Sequence, residues 1–463
     1  MMSRGRGEML LVLVLVWSLI AIGCDPSHSQ NRMRDASTSL ENRAGPPNVV
    51  VVVLDAARAD HFGLYGYERD TTPTIDDFAK GATRYDVVLS EAPYTFLSTS
   101  SLFAGASPAE TGLGARTGGR VPESMELIAE TARDAGYRTF GYSENPYVTR
   151  YFGMAQGFDV FGEVYPTSNL RTGRELPENI DSAARMKSMI EAATGATDEP
   201  FFFYTHLLRP HNPYAPPAPY AGRFGSEPGH RTEGTTQALV ALDRAKRPLD
   251  TAQIDRVIAL YDENLAFADS LFAGLLSNLE EAGVLENTVI VLTADHGEGF
   301  GEHGRLLHST QLFDPMLRVP LVVRIPDGVG GVQSTPIQLA DLGAALRSGF
   351  ETGEFAGMET LGRERPPRAP LYSWTNAQTH HMAARTPTRR LVLDMVSQDV
   401  VAYHALTQAG DTEIAMDAEG EAMRVDLLAR LADWTGALPD VAAPPELDPV
   451  KRRQLESLGY LQN

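Results

Sequence analysis

Uninterrupted apolar runs set the frame of this chain. Val49 to Leu54 follows Asn48 without a polar break, and Val289 to Leu292 does the same inside the stretch 288–298. Runs of this kind predict strands covered on both faces, since a half-exposed strand would alternate. Each run exits on an acid: Asp55 after the first, and Asp295, followed by His296 and Gly297, after the second. Phe201 to Tyr204 predicts a third strand, with His206 and His211 just past its end, and Tyr137 to Tyr142 a fourth, with Asn145 beyond it. Leu321 to Ile325, between two prolines, reads as a further strand. Open α/β sheets place their chemistry at the carboxyl edge, so these exits are candidate site positions; a strand ending in an ordinary turn with a capping Asp is the alternative. Asn145 is expected to stabilise a turn.

Helical periodicity fills the spaces between. Ile254, Val257, Ile258, Tyr261, Leu265, Ala268, Leu271, Phe272, Leu275 and Leu279 recur at three- and four-residue steps, predicting a long helix from about Asp250 to Ala282. Asp250 and Gln253 resemble its capping box and Gly283 its stop. A helix from Ser124 to Ala135 ends at Gly136, and another begins after Pro73. The alternation predicts one large α/β domain with a covered sheet. Past Pro326 the motifs thin out, and a Gly/Pro/Arg/Glu-rich connection over 345–369 marks a boundary. The large domain is therefore expected over 48–345, and a small C-terminal α+β subdomain over 346–463, with a short strand at Arg390 to Asp394 and a helix from Glu421 to Trp434.

Composition changes this picture in two ways. With 463 residues, 43% hydrophobic and 22% charged, the chain can bury a large core. Its net charge of -20 argues against nucleic acid as a partner and is compatible with cation binding. The amino terminus departs from the rest: Arg4 and Arg6 precede an apolar run from Met9 to Ile22, too short for a comfortable membrane span. Residues 1–24 are expected to be a signal peptide. Cys24, the sole cysteine, follows Ala21-Ile22-Gly23 and resembles a lipobox, with Ala21 in place of the usual Leu. The expectation is export to a bacterial periplasm or cell envelope with lipid on Cys24; plain cleavage and an uncleaved anchor are the alternatives. The mature domain has no disulfide, and 25–47 reads as a flexible tether.

Ser90 to Gly105 is dense in hydroxyls and runs into a short helix. A helix amino terminus attracts anions, so a hydroxyl there could attack a bound phosphate or sulfate; a Ser/Thr-rich cap is the plainer reading. The order of Asn48 to Asp55, Thr95 to Gly105 and Asp295-His296-Gly297 resembles the sulfatase family of the alkaline phosphatase superfamily. Gly153 to Phe161, Phe201 to Tyr214, Tyr261 to Asn264, Phe300 to Arg318 and Gln454 to Leu461 extend the resemblance over nearly the whole mature chain. It implies a three-layer α/β sandwich around a central mixed sheet, and ester hydrolysis.

Departures from that family bear on mechanism. Sulfatases carry Cys or Ser in C/S-x-P-S-R, converted to formylglycine; here the stretch is Thr95-Phe96-Leu97-Ser98-Thr99. Threonine cannot become that aldehyde, but it is the nucleophile of related phosphodiesterases and phosphoalkyl transferases. Leu97 replaces the proline and Thr99 the arginine. The resemblance thus implies a threonine-nucleophile member, with Thr95 as nucleophile and Asp55, Thr95, Asp295 and His296 around one divalent ion: Ca, Mg, Mn or Zn. Two-metal relatives carry an Asp where Leu207 stands, which favours one metal. His211 matches a substrate-contacting histidine that can protonate the leaving oxygen. His206, His303 and His308 are further candidate substrate contacts, and Arg58 reads as an ion-pair partner. His380, His381 and Arg385 lie where relatives sometimes add a cationic contact. The expected substrate is a small-molecule, glycan or lipid-headgroup ester, with phosphoester hydrolysis or phosphoalkyl transfer ahead of sulfate-ester hydrolysis. A catalytically silent binding lipoprotein of the same fold is the reading from another class.

Overall fold

The structure is a computed structural model. It describes residues 45–436 apart from 114–118, 165–180, 196, 227–229, 231, 246–249, 365, 367–368, 377–378 and 408–409, together with 449, 452, 453 and 455. The expected signal peptide, Cys24, nearly all of the tether and most of the Gln454 to Leu461 run lie outside the described residues. The chain divides after Gly45, and the unit from Pro46 onward carries the sheets and helices described below.

Strand Asn48–Leu54 lies inside an eight-stranded sheet. Across it the order is Gly331–Gln333, Thr83–Tyr85, Leu321–Arg324, Thr288–Ala294, Asn48–Leu54, Phe201–Leu207, Arg138–Ser143 and Val160–Glu163. The five strands from Thr288–Ala294 to Val160–Glu163 run parallel, and Leu321–Arg324 is antiparallel to its neighbour, so the sheet is mixed. All seven residues in each of Asn48–Leu54, Phe201–Leu207 and Thr288–Ala294 are buried, which is why their sequences lack alternation. Register sets the geometry of the strand exits: Leu54 pairs with Ala294 on one side and Leu207 on the other. Asp55 and Asp295 therefore leave the sheet side by side.

Helix Thr251–Glu281 runs almost over the expected span, with the Asp250 carboxylate accepting from Ala252 N at 3.1 Å. Helices Pro73–Phe78 and Ser182–Thr194 pack on it, and Leu339–Thr352 packs on Thr95–Ala104 and Ile128–Asp134. The helix expected from Ser124 starts at Ile128, because Glu130 accepts from Leu127 N at 3.0 Å and so sets its first turn. The strand expected over Phe201 to Tyr204 continues to Leu207 and carries His206 within the sheet. Among the described residues no helix is long and apolar enough to cross a membrane.

A second sheet is an antiparallel meander of Leu371–Thr375, His381–Arg385, Arg389–Asp394, Val400–Thr407 and Gly410–Glu413. Helix Ala418–Gly436 packs against it, giving the expected α+β composition. Helix Leu339–Thr352 runs through residues 345 and 346. The small sheet grips the loop ahead of Thr95: Ser373 Oγ donates to Ser90 O at 2.9 Å, Trp374 N to Glu91 O at 2.7 Å, and Tyr94 Oη to Asn376 Oδ1 at 2.9 Å.

Asp314, the first residue of the short helix Asp314–Leu317, ties that helix to the small sheet. It accepts from Arg385 at 3.1 and 3.2 Å and from Arg390, which is 1% exposed. Burial raises the Asp314 carboxyl, but the two guanidiniums outweigh it and hold the group well below the ordinary 3.8. Asp314→Asn removes the nearer of the two acids beside the buried Arg390, the other being Asp411 at 3.5 Å, so the expected loss at pH 7 is about 3 kcal/mol in urea melts. A depressed carboxyl stabilises above its unfolded value and stops doing so as pH falls through the folded one. The gap between wild type and Asp314→Asn should accordingly narrow from pH 5 to pH 3, and a constant gap would refute the electrostatic account.

Candidate active site

Asp55 and Asp295 bring two carboxylates into a site with almost no solvent contact, at 0% and 1% exposure. Asp295 Oδ1 accepts from Ala56 N at 3.1 Å and His296 N at 2.9 Å, and Asp55 Oδ2 accepts from Asn145 Nδ2 at 2.5 Å. The other oxygens, Asp55 Oδ1 and Asp295 Oδ2, have no hydrogen-bond partner among the described residues. Buried unpaired charge of this kind is costly. His296 Nε2 stands 3.4 Å from Asp295 Oδ2 and 3.7 Å from Asp55 Oδ1. Its Nδ1 lies 2.8 Å from Gly297 O, so Nδ1 carries the proton and Nε2 presents its lone pair. Ligand atoms of Asp55, Asp295 and His296 all fall within 4.8 Å of one another. Orphaned carboxylate oxygens facing an imidazole lone pair fit a divalent cation.

Thr95 opens helix Thr95–Ala104, whose ten residues are all buried. Its Oγ1 is 3.3 Å from His296 Nε2 and 3.2 Å from Asn145 Nδ2. The structure therefore brings Asp55, Thr95, Asp295 and His296 into one group. Asn145 belongs with them: its Oδ1 accepts from Tyr147 N at 2.7 Å, making the expected turn, while its Nδ2 reaches both Asp55 and Thr95. The available signal was its place just past a strand end, which it shares with Asp55 and Asp295.

The candidate substrate histidines separate. His211 donates Nδ1 to Asn212 O at 2.6 Å and its amide to Asp55 O at 3.0 Å; burial lowers its pKa. Its ring centroid is 4.9 Å from that of His308, which in turn lies 4.5 Å from His296. Burial pushes His308 down to about 3. Its Nδ1 lies 3.0 Å from Glu298 Oε1, and burial pushes that carboxyl up to about 7. His303 is not brought to this group: it stacks on Phe313 at 3.6 Å, with Nε2 3.4 Å from Asp411 Oδ2. His404 Nδ1 is 3.5 Å from that same oxygen, and His303, His404 and Asp411 also have ligand spacing. Arg390 Nη1 at 3.5 Å from Asp411 Oδ2 opposes a cation there. His381 faces Asp394 at 3.9 Å and Arg385 is engaged by Asp314. Arg58 pairs with Asp60 at 2.8 Å and Glu302 at 2.7 Å, an ion-pair role. His206, expected to touch substrate, projects instead between Asp55 Oδ2 at 3.4 Å and Asp295 Oδ2 at 3.7 Å.

The run Tyr261 to Asn264 holds four loops from one turn of helix. Tyr261 Oη donates to Ala56 O and accepts from Arg58 N, both at 2.9 Å. Asp262 accepts from Tyr67 at 2.6 Å and Arg69 at 2.7 Å. Glu263 takes Phe224 N and Ser226 N at 3.2 Å, and Asn264 Nδ2 reaches Pro210 O at 3.2 Å. Gly297 is required by packing, since a Cβ there would sit 2.1 Å from Pro315 O.

The class follows once the family match is set beside this geometry: an ester-hydrolysing enzyme of the alkaline phosphatase superfamily. The chain belongs to the sulfatase family, whose model matches residues 47–348. It is 23% identical over 372 residues to the uncharacterized sulfatase YidJ of Escherichia coli, covering 72% of this chain and 74% of that one. To an ulvan-active sulfatase of Formosa agariphila it is 24% identical over 356 residues, 71% of this chain and 65% of that protein. The crystal structure of a phosphonate monoester hydrolase of Agrobacterium radiobacter superposes with a TM-score of 0.62 at 18% identity, covering 87% and 98% of the two chains. Members of this superfamily use a divalent metal, which the Asp/His group here fits.

Tyr261→Phe tests the scaffold. It leaves Ala56 O and Arg58 N buried without their partner, at Ala56 in a backbone with φ of 58°. A loss of about 2 kcal/mol is expected in denaturant melts, with weaker divalent-ion affinity because Asp55 adjoins this turn. Unchanged stability and affinity together would remove Tyr261 from the scaffold.

Proposed function

We propose that the chain is an exported, metal-dependent hydrolase or transferase of phosphate esters in which Thr95 is the nucleophile. The observation that carries this reading is Thr95 Oγ1 at a buried helix start, 3.3 Å from His296 Nε2 and 3.2 Å from Asn145 Nδ2. A divalent cation on Asp55, Asp295, His296 and Thr95 would lower the pKa of the Thr95 hydroxyl and neutralise charge on the substrate oxygens. Thr95 Oγ1, its proton passed to solvent, would bond to phosphorus as the bond to the ester oxygen breaks; that oxygen takes a proton from His211 at Nε2, and His211 recovers one from the water or acceptor hydroxyl that attacks next. Nδ1 of His211 is committed to Asn212 O, so the proton it transfers is the one on Nε2. Water, or an acceptor hydroxyl in a transferase, then releases the phosphate from Thr95. Asn145 Nδ2 holds Asp55 and Thr95 Oγ1 in place, and the amino end of the helix favours the anionic oxygens of the substrate.

Threonine favours phosphate over sulfate, because the aldehyde route of formylglycine sulfatases is closed to it. Similarity to an ulvan-active sulfatase keeps sulfate esters, glycan sulfates included, as the second reading. Residues 1–24 add the proposal of export with lipid on Cys24; Cys24→Ser should abolish labelling by radioactive palmitate, and retained labelling would place the anchor elsewhere.

Purified protein, stripped with chelator and reloaded with Mn, Zn, Mg or Ca, should hydrolyse aryl phosphate mono- or diesters faster than an aryl sulfate. Chelator should abolish turnover, and Thr95→Ala should lower kcat by on the order of 10³-fold or more. Equal turnover by Thr95→Ala sinks the nucleophile assignment, and no turnover on any ester with metal bound leaves the silent binding reading.

A further inference from the structure

We infer that Thr375, at the end of the first strand of the small sheet, is a positioning residue for His308, and that it sets the reach of that imidazole to the substrate's anionic oxygens through one strained residue, Ser309. The inference rests on the reading of the site as an ester-hydrolysing centre in which His308 contacts substrate, and extends it to a residue outside that centre.

Thr375 closes strand Leu371–Thr375, pairs with His381 and is fully buried. A threonine in a strand is ordinarily accounted for by its β-branched shape. Here the hydroxyl has a separate use, since Thr375 Oγ1 donates to Ser309 O at 2.7 Å. The other backbone group of the same serine is also taken: Ser309 N donates to Pro93 O at 2.8 Å. Pro93 stands two residues before Thr95. Ser309 is therefore pinned on one side to the loop that delivers the nucleophile and on the other to the small sheet.

Ser309 depends on those pins. Its φ is 80°, a left-handed conformation that a non-glycine residue keeps only where its surroundings impose it. The amide held by Pro93 belongs to the peptide that joins His308 to Ser309, so the direction in which the His308 side chain leaves the backbone follows from this turn. On the other side Leu307, with φ of 63°, pairs with Gly299. His308 thus lies between two constrained residues, while Glu298 Oε1 stands 3.0 Å from its Nδ1. Gly299 and Glu298 both belong to the loop after His296. Of the three holds, the one at Ser309 alone ties His308 to the small sheet and to the nucleophile loop together. Because misplacement of a binding group by about 1 Å can cost on the order of a hundredfold, a turn that relaxes at Ser309 should be felt at the substrate.

The test is steady-state kinetics of the whole, metal-loaded protein on whichever aryl phosphate or aryl sulfate it turns over fastest. Thr375→Val keeps the shape and strand preference of threonine and removes the hydroxyl. It should raise KM by about fivefold, leave kcat within about twofold and melt close to wild type. Thr375→Ser restores the donor and should return KM to the wild-type value. In a His308→Ala background Thr375→Val should raise KM no further, since residues acting through one contact do not add. Thr375→Ala, which keeps the backbone pairing of the strand, carries the same expectations if the valine variant fails to fold. An unchanged KM, an effect that adds in full to that of His308→Ala, or a joint fall in kcat and Tm that serine does not restore would each overturn the positioning role and leave the hydrolase reading intact. A wild type that turns over no phosphate or sulfate ester overturns that reading and the role with it.

Discussion

Two carboxylates held side by side without water are the constraint on which the rest of this molecule depends. Asp55 and Asp295 are forced together because their strands are neighbours in parallel register, each ending one residue earlier. Left alone, such a pair would protonate or pull the sheet edge apart. Asn145 and two backbone amides take one oxygen of each acid. The bare oxygen remaining on each is a demand for positive charge at a point set by the sheet.

Meeting that demand requires the loops beyond the strand ends to stay in place, and one turn of helix Thr251–Glu281 does most of the holding. Tyr261, Asp262, Glu263 and Asn264 are all buried despite three polar or charged side chains, and each spends its hydrogen bonds on a different loop. The small sheet performs the same service for Thr95, gripping residues 90, 91 and 94 from the other side. Strain collects between the two supports: His303, Leu307 and Ser309 all adopt positive φ, a conformation non-glycine residues keep only where the surroundings impose it. The stretch from Gly301 to Ser309 is thus shaped by its neighbours more than by its own propensities.

This division explains which features are legible in the sequence. Strands show as continuous apolar runs because both faces are covered, and the long helix shows in its periodicity. Asp55 and Asp295 follow from those strand ends by position alone. Thr95 needs a family resemblance, since nothing local separates it from the hydroxyls beside it. His206 reads as a loop residue because Thr205 and His206 interrupt the apolar run, although the strand continues to Leu207. His303 misleads for another reason: its partners, Phe313, His404 and Asp411, are distant in sequence, and His404 and Asp411 belong to the small sheet. Asn145 is only half legible, since a single amide can close a turn with its oxygen and serve a site with its nitrogen.

The departures at positions 97 and 99 become intelligible on the same grounds. Leu97 and Thr99 are each 1% exposed, in a helix packed against its neighbours along its whole length. An arginine at 99 would need a buried counter-charge, either a substrate anion or an acid, to offset its desolvation. With threonine there, the helix carries no charged side chain from Thr95 to Ala104, and recognition of an anionic ester falls on the helix end, Asn145, His211, His308 and the cation. On the proposed reading such a site would depend on its metal for binding as well as for chemistry. Removing the ion would deprive the substrate of its main positive partner and leave Asp55 and Asp295 facing each other unscreened, which would couple substrate affinity to the order of the strand ends.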